Sequence, residues 1–176
     1  GVHQDTIADP KNHGGTDKAC YLYSYHHYKY WKTLYPSLNW QYGMFGENIT
    51  VDIFDENKIH IGDIFQIGES QIQVTQPRQP CFKLGYRFND PKIIPLFQKY
   101  PSPGFYAKVL QEGHILPNSK MARIQVKSTP SINEVYHVLY GSKNTPALMK
   151  KILSCRELAP SAKKDILKRC SEEKSI

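Results

Sequence analysis

The sequence predicts a mainly β protein in which a β-barrel is followed by a small bundle of three short helices. Short β-like runs alternate with Asp, Asn and Gly turns between residues 48 and 75, and runs of the same kind return further along the chain. After Thr129 the apolar spacing changes from period two to helical spacing. We therefore expect a barrel domain at residues 1–128 and a helical segment at residues 129–176.

The first predicted elements are a strand and a helix rich in aromatic residues. The strand covers 19–23, and Ser24 suits the N-cap of a helix over 25–34. An aromatic stripe at i, i+3, i+7 spacing on this helix is typical of core packing, although interleaved Tyr, His and Lys also stack on bases. The stripe consists of Tyr28, Trp31 and Tyr35.

The middle of the chain predicts a meandering antiparallel sheet or barrel. Four strands are expected between residues 48 and 76 and two more near the end of the barrel domain. These strands cover 49–53, 58–60, 64–67, 72–75, 104–110 and 121–126. The proline-rich stretch 89–102 predicts a loop with one short helical turn.

Capping residues and prolines predict where the three C-terminal helices begin. Ser131 and Glu134 form a capping box, Thr145-Pro146 starts a second helix, and Pro160 starts a third that runs to about residue 170. So small a bundle is marginal alone, so we expect it to pack on the barrel. Its predicted core consists of Ile132, Val135, Leu139, Leu148, Ile152, Leu158, Ile166 and Leu167.

Basic side chains cover this segment, which suggests either a solvated face or a helix-turn-helix that reads DNA. We favour the solvated face. The residues are Lys150, Lys151, Arg156, Lys163, Lys164, Lys168 and Arg169.

Composition limits the functional classes. The formal charge of +7 favours anionic partners without choosing among them. The chain has neither a long apolar run nor a charged-then-apolar leader, so we expect a cytoplasmic protein without a membrane partner. Its four cysteines lie far apart, with no Cys-x-x-Cys pair for zinc or an iron–sulfur centre. We interpret them as thiols.

One of these cysteines lies in a rigid turn directly after a predicted strand. Pro77 and Pro80 prevent the strand ladder from continuing, and Arg78 lies three residues before Cys81. A cationic neighbour favours the thiolate, which is the form that acts as a nucleophile or a metal ligand. Cys81 is therefore the candidate reactive residue, although most free cysteines are small buried hydrophobes.

Two further motifs suit the recognition of a ligand. His13 precedes Gly14 and Gly15, whose backbone can form an anion-binding nest or simply a tight turn. In Phe45-Gly46-Glu47-Asn48, polar side chains flank a permissive glycine and can bond to a pterin or cap the local backbone. Asp63 is interpreted as a turn residue, and the remaining histidines show no metal-ligand spacing.

These motifs occur in an order that resembles the MOSC domain, named for the C-terminal part of molybdenum cofactor sulfurases. His13 to Ala19, Phe45 to Thr50, Ile61-Gly62-Asp63 and Pro77 to Cys81 carry the resemblance, which is closest to the small YiiM-like branch. Family members already contain strands before the point where this chain begins, so we expect the lead-in strands to be missing from this sequence.

The resemblance implies a β-barrel of the pyruvate-kinase type that binds molybdenum cofactor, a molybdopterin. Cys81 is then the molybdenum ligand and the catalytic residue, and Arg78 pairs with the cofactor phosphate. The other cofactor-binding residues are His13, Gly14, Gly15, Glu47 and Asn48. The implied reaction removes oxygen from N-hydroxylated compounds, including N-hydroxylated purine analogues.

Two other functions remain open. Cys81 could carry a persulfide sulfur toward a cofactor precursor, or the chain could be a non-enzymatic basic module for nucleic acid, which we consider weaker. For the reductase, the sequence has no Gly-x-Gly-x-x-Gly fingerprint and no iron–sulfur spacing, so a separate electron-donor protein is expected. The oligomeric state stays open.

Overall fold

The computed structural model describes residues 15–141 and 145–173. The described strands are β1 (Cys20–Ser24), β2 (Ile49–Val51), β3 (Ile64–Ile67), β4 (Ser70–Pro77), β5 (Phe105–Gln111) and β6 (Met121–Gln125). The α-helices are α1 (Tyr28–Leu34), α2 (Phe82–Phe88), α3 (Ile93–Lys99), α4 (Ile132–Tyr140), α5 (Pro146–Ser154) and α6 (Pro160–Glu173). Short 3₁₀ helices cover Thr16–Lys18 and Tyr25–His27.

The strands form one curled sheet in the order β2-β1-β5-β4-β3-β6. The β1–β2 pair is parallel and the other pairs are antiparallel. The antiparallel meander expected over 48–75 is therefore wrong for β2, which pairs in parallel with β1 after a crossover and is separated from β3 by three strands. The antiparallel β3–β4 pair agrees with the expectation. Within the described residues the sheet is a half-barrel.

The sheet separates two apolar cores. On one face, residues such as Leu22 and Phe105 pack against Ile132, Ile152 and Ile166 of the C-terminal helices. These helices thus share a core with the sheet, as their small size predicted. The domain boundary at 128/129 stays a prediction.

The second core lies on the opposite face and is largely aromatic. Tyr28 and Trp31 of the predicted stripe are buried in it, and Tyr35 is half-buried against it. Trp31 stacks on Phe97 at 5.7 Å between ring centroids and donates a hydrogen bond from Nε1 to the Tyr23 hydroxyl at 2.8 Å. This packing confirms the stripe as core.

Several boundaries differ from the expected ones. Residues 58–60 are not a strand, since only His60 forms an isolated bridge, with Ser131. The 25–34 helix begins as a 3₁₀ turn, and Ser24 makes no side-chain cap because its hydroxyl donates to the Asp52 carbonyl. Leu167 is exposed and does not belong to the core.

The structure has two helices in regions where the sequence predicted a loop with one short helical turn or no element at all. Helix α2 begins directly after Cys81, and α3 occupies half of the proline-rich stretch 89–102, where one short helical turn was expected. Pro95 is compatible with α3 because it lies in the first turn, where backbone N–H groups have no intrahelical acceptor. The predicted capping box is confirmed, since Glu134 N donates to Ser131 Oγ and Ser131 N donates to the Glu134 carboxylate.

Candidate functional site

The candidate site lies at the end of β4, where a turn connects the sheet to α2. Arg78 N donates to the Gly104 carbonyl at 3.3 Å, which fixes the start of this turn beside β5. Cys81 occupies the N-cap position of α2 with extended backbone angles, and its carbonyl accepts from Leu84 N at 3.0 Å. Its side chain is half-buried. Cys81 therefore begins a helix, rather than ending the strand itself.

Arg78 turns back toward this cysteine. Its Nη2 lies 3.8 Å from Cys81 Sγ, and its Nη1 donates to the Gln79 carbonyl. The guanidinium lies over the rings of Tyr21 and Tyr106, at 5.4 and 5.6 Å from the centroids. Stacking on aromatic faces suits arginine, whose planar group is weakly hydrated. The structure thus holds a cation against the thiol.

The charge on Arg78 has no carboxylate partner among the ion pairs found in the described part of the chain. Burial alone would lower its pKa, but the nearby Tyr106, Tyr21 and Cys81 outweigh that effect and raise it. Burial also raises the pKa of both tyrosines, so their phenols stay neutral at neutral pH. A positive centre of this kind favours an anionic ligand.

A second cation, Lys18, reaches the same tyrosine. Its Nζ lies 5.9 Å from the Tyr106 centroid. Burial and the nearby charge of Arg78 lower the pKa of Lys18, and Asp165 partly opposes this. The turn that carries Lys18 is tied to the sheet, because Thr75 Oγ1 donates to the Asp17 carbonyl at 2.6 Å. Lys18, near the end of the motif that runs from His13 to Ala19, therefore lies beside the turn that carries Arg78.

The Glu47-Asn48 motif meets Arg78 through Tyr21. Tyr21 N donates to Asn48 Oδ1 at 2.8 Å, and Asn48 N donates to the Tyr21 carbonyl at 2.9 Å. Asn48 is exposed, although it makes both of these hydrogen bonds to β1. The Glu47 carboxylate is buried and accepts from Tyr28, Thr50 and backbone amides of its own loop. Glu47 therefore organises the loop that carries Asn48.

The C-terminal helices also contact the turn. The Gln79 side chain donates to Asp165 of α6 at 2.8 Å and accepts from the Tyr140 hydroxyl of α4 at 3.2 Å. Three residues before Gln79, the Gln76 side chain accepts a hydrogen bond from the Ser161 hydroxyl of α6 at 2.9 Å. The helical segment thus holds the residues that flank Arg78 and is part of the site's framework.

The other described cysteines have a different environment. Cys20 and Cys155 are buried free thiols. Burial raises the pKa of Cys20 to about 11 and also raises that of Cys155. Both therefore stay protonated at neutral pH, which makes them poor ligands and nucleophiles. Among described residues, no group of three or more His, Cys, Asp or Glu side chains could hold a metal ion.

The structure brings together only part of the predicted set. Cys81 and Arg78 are in contact, Asn48 joins them through Tyr21, and Gly15 starts the turn that carries Lys18, with φ of 103°. His13 and Gly14 lie outside the described residues. Their roles, like that of Glu47 as a cofactor ligand, stay predictions.

Sequence reasoning missed several residues at this site. They are Lys18, Tyr21, Gln79 and Tyr106. Lys18 lies inside the glycine motif and Gln79 inside the cysteine motif, so both could have been considered from their positions. Nothing in the sequence indicates that Tyr106, on a distant strand, meets Arg78.

Fold and site together define a class: curled-sheet proteins that present one thiol beside an arginine after a central strand. The chain belongs to the MOSC domain family, whose profile matches residues 9–122. The identification from the motifs is thereby confirmed. Across the described residues, the helices are too short or too polar to cross a membrane.

Individual relatives give the same assignment. The uncharacterized protein YflK of Bacillus subtilis (strain 168) is 36% identical over 172 residues, covering 94% of this chain and 75% of that protein. Protein YiiM of Escherichia coli (strain K12) is 31% identical over 171 residues, covering 96% and 76%. A shorter match, 34% identical over 117 residues, covers 64% of this chain and 21% of a protein named reductase from Gibberella moniliformis (strain M3125 / FGSC 7600).

A solved structure has the same architecture. The crystal structure of YiiM from Geobacillus stearothermophilus is 35% identical, with a TM-score of 0.82 over 89% of this chain and 80% of that one. The MOSC family and the names of these relatives indicate a function related to molybdenum cofactor, with a hint of oxidoreductase activity.

Proposed function

We propose that this protein binds molybdenum cofactor through Cys81 and reduces N-hydroxylated compounds, such as N-hydroxylated purine analogues. The observation that carries this proposal is the contact of Arg78 Nη2 with Cys81 Sγ at 3.8 Å, in a turn that the fold holds from both sides. A curled half-barrel is observed, and its completion as a pyruvate-kinase-type barrel with a separate three-helix bundle belongs to this proposal.

The residues present fit the cofactor. A half-buried thiol is a soft ligand, which suits a metal that the pterin already holds through sulfur. Arg78 offers a planar donor group for the phosphate, and Lys18 adds a second cation at the shared Tyr106 ring. Asn48 reaches the same place through Tyr21 and can position the ring system. Cys20 and Cys155 are excluded as ligands by their burial.

The proposed reaction breaks an N–O bond. An N-hydroxylated amine takes up two electrons and two protons and gives the amine and water. When bound, the cofactor supplies the two-electron oxygen removal, and the protein contributes binding and charge. Arg78 and Lys18 would hold the anionic group, and the buried tyrosines would exclude water from around the guanidinium.

We expect Arg78→Ala to weaken cofactor retention far more than Arg78→Lys, because lysine keeps the charge but loses the planar fork. Cofactor content per chain is measured after gel filtration of protein from a host that makes the cofactor. Arg87→Ala is the matched control, since Arg87 is exposed on the outside of α2. Wild-type retention in both Arg78 variants would remove this residue from the site.

A separate reductase should supply the electrons. Purified, cofactor-loaded protein should not sustain turnover with a nicotinamide cofactor alone, but should do so with a chemical reductant. Since the chain carries a formal charge of +7, we propose an acidic flavoprotein or ferredoxin whose association weakens as salt rises. Sustained turnover with the nicotinamide cofactor as the sole reductant, or no turnover with the chemical reductant, would contradict this expectation.

A persulfide carrier is the alternative favoured by the same half-buried thiol. Incubation with a cysteine desulfurase and cysteine would then leave a stable persulfide on Cys81, detectable by mass spectrometry, and molybdenum would be absent from protein made in a competent host.

The molybdenum-cofactor proposal further places the protein in the cytoplasm, where thiols stay reduced. It assigns no role to membranes or nucleic acid.

A further inference from the structure

A groove of about 380 Å³ opens directly beside the cysteine turn. Its first wall is the face of α2 that carries Phe82 and Tyr86, and its second wall comes from Pro91 and Ile94 at the start of α3. Phe82 follows Cys81 in the chain, so the groove begins one residue from the candidate metal ligand. The groove therefore lies next to the turn that carries Cys81, although Cys81 and Arg78 do not line it.

The aromatic wall is unusually exposed. Phe82 is 61% and Tyr86 80% exposed, although the two rings lie edge to face at 5.9 Å between centroids. All the other aromatic side chains on the described helices are less exposed than these two. A planar ring in this groove can stack on the face of one of these two rings and contact the edge of the other.

The volume restricts the occupant to a small molecule. Sites for small ligands begin near roughly 300 Å³, whereas protein interfaces need a far larger surface. A single planar ring system therefore suits this groove better than a helix or a second chain.

The end of the groove is polar. Asp90 and Asn89 line it, in the connection between α2 and α3. The Asp90 carboxylate is held in place, because Tyr35 donates to Oδ2 and Lys92 N donates to Oδ1, both at 2.9 Å. Each carboxylate oxygen can accept a further bond. This end of the groove is therefore suited to a ring that carries N–H donors.

We infer that this groove binds the planar ring of the substrate, an amino-substituted heteroaromatic of nucleobase type, which stacks on one ring of the Phe82–Tyr86 pair, contacts the edge of the other and directs its N–H groups toward Asp90. The inference rests on the proposed N-hydroxyl reduction at Cys81. It adds the location and the residues that would distinguish a heteroaromatic substrate from a small aliphatic one.

The test compares two substrates in the Phe82→Ala/Tyr86→Ala double variant. Loss of stacking should raise KM for an N-hydroxylated aminopurine by about tenfold or more, while KM for hydroxyurea stays as in wild type. Lys83→Ala/Arg87→Ala is the control, since both residues are exposed on the same helix outside the groove. An equal KM for the purine in wild type and the aromatic double variant would overturn the inference.

A binding measurement separates this inference from the proposed function. Adenine, which has no N–O bond to reduce, should bind the cofactor-free full chain in a calorimetric titration and should lose that binding in the aromatic double variant. If no N-hydroxylated compound is turned over but adenine binding follows this pattern, the reaction is wrong and the groove stands. If wild type does not bind adenine, or if the variant instead dissociates a dimer in sedimentation, the groove assignment is wrong.

Discussion

Cys81→Ala should abolish molybdenum binding and N-hydroxyl reduction while leaving the protein folded. The thiolate is the one metal ligand that we assign to the chain, so its loss should leave no direct bond to the metal. The side chain is half-buried and contributes little to either core, so the free energy of unfolding should change by less than about 1 kcal/mol. Metal analysis and a denaturant titration of the same preparation measure both quantities.

Cys20→Ala is the matched control for this experiment. Its thiol lies in the sheet core and points to the Ala107 carbonyl at 3.7 Å, so its removal should lower stability without lowering molybdenum content. We therefore expect Cys81→Ala to lose molybdenum and keep its stability, and Cys20→Ala to keep molybdenum and lose stability. Equal metal content in wild type and Cys81→Ala would remove Cys81 from the metal site.

Gly104→Ala should lower the free energy of unfolding by about 3 kcal/mol or more. Gly104 has a φ of 70°, and a Cβ there would lie 2.3 Å from the Leu22 carbonyl oxygen of the neighbouring strand. The residue also accepts the backbone bond from Arg78 and donates to the buried Glu56 at 3.2 Å. A shift here would therefore disturb the cysteine turn as well as the sheet.

Gly46→Ala separates conformational strain from steric clash. Gly46 has a φ of 83°, yet a Cβ there meets nothing within 4 Å. This variant should lose only about 1 kcal/mol, from the left-handed backbone alone. Thermal and denaturant unfolding of both variants measure the difference, and equal losses would show that the close approach at Gly104 has no energetic effect.

Local patterns predicted most of the secondary structure because they report local physics. The alternation in 64–67 marks β3 to the residue, and the Ser131–Glu134 capping box marks the start of α4. The parallel β1–β2 pair was not predictable in this way, since strand partners are chosen by packing across the whole sheet. Helix α3 was obscured by Pro95, which is tolerated in the first turn, and α2 by the prolines that precede its N-cap.

The site was predictable where its residues are close in sequence. Arg78 and Cys81 share one turn, and their contact follows from a spacing of three residues. Tyr106 and Asp165 come from distant elements, and only the tertiary structure shows that they meet this turn through Arg78 and Gln79. The functional importance of their positions therefore depends on long-range packing that no local motif records.

X-ray absorption at the molybdenum edge tests the central assignment most directly, because it reports the atoms bonded to the metal. Wild-type protein loaded with cofactor should show one more sulfur neighbour than Cys81→Ser protein supplied with excess cofactor, or the variant should retain no molybdenum after gel filtration. The same sulfur shell at the same occupancy in both proteins would contradict ligation by Cys81.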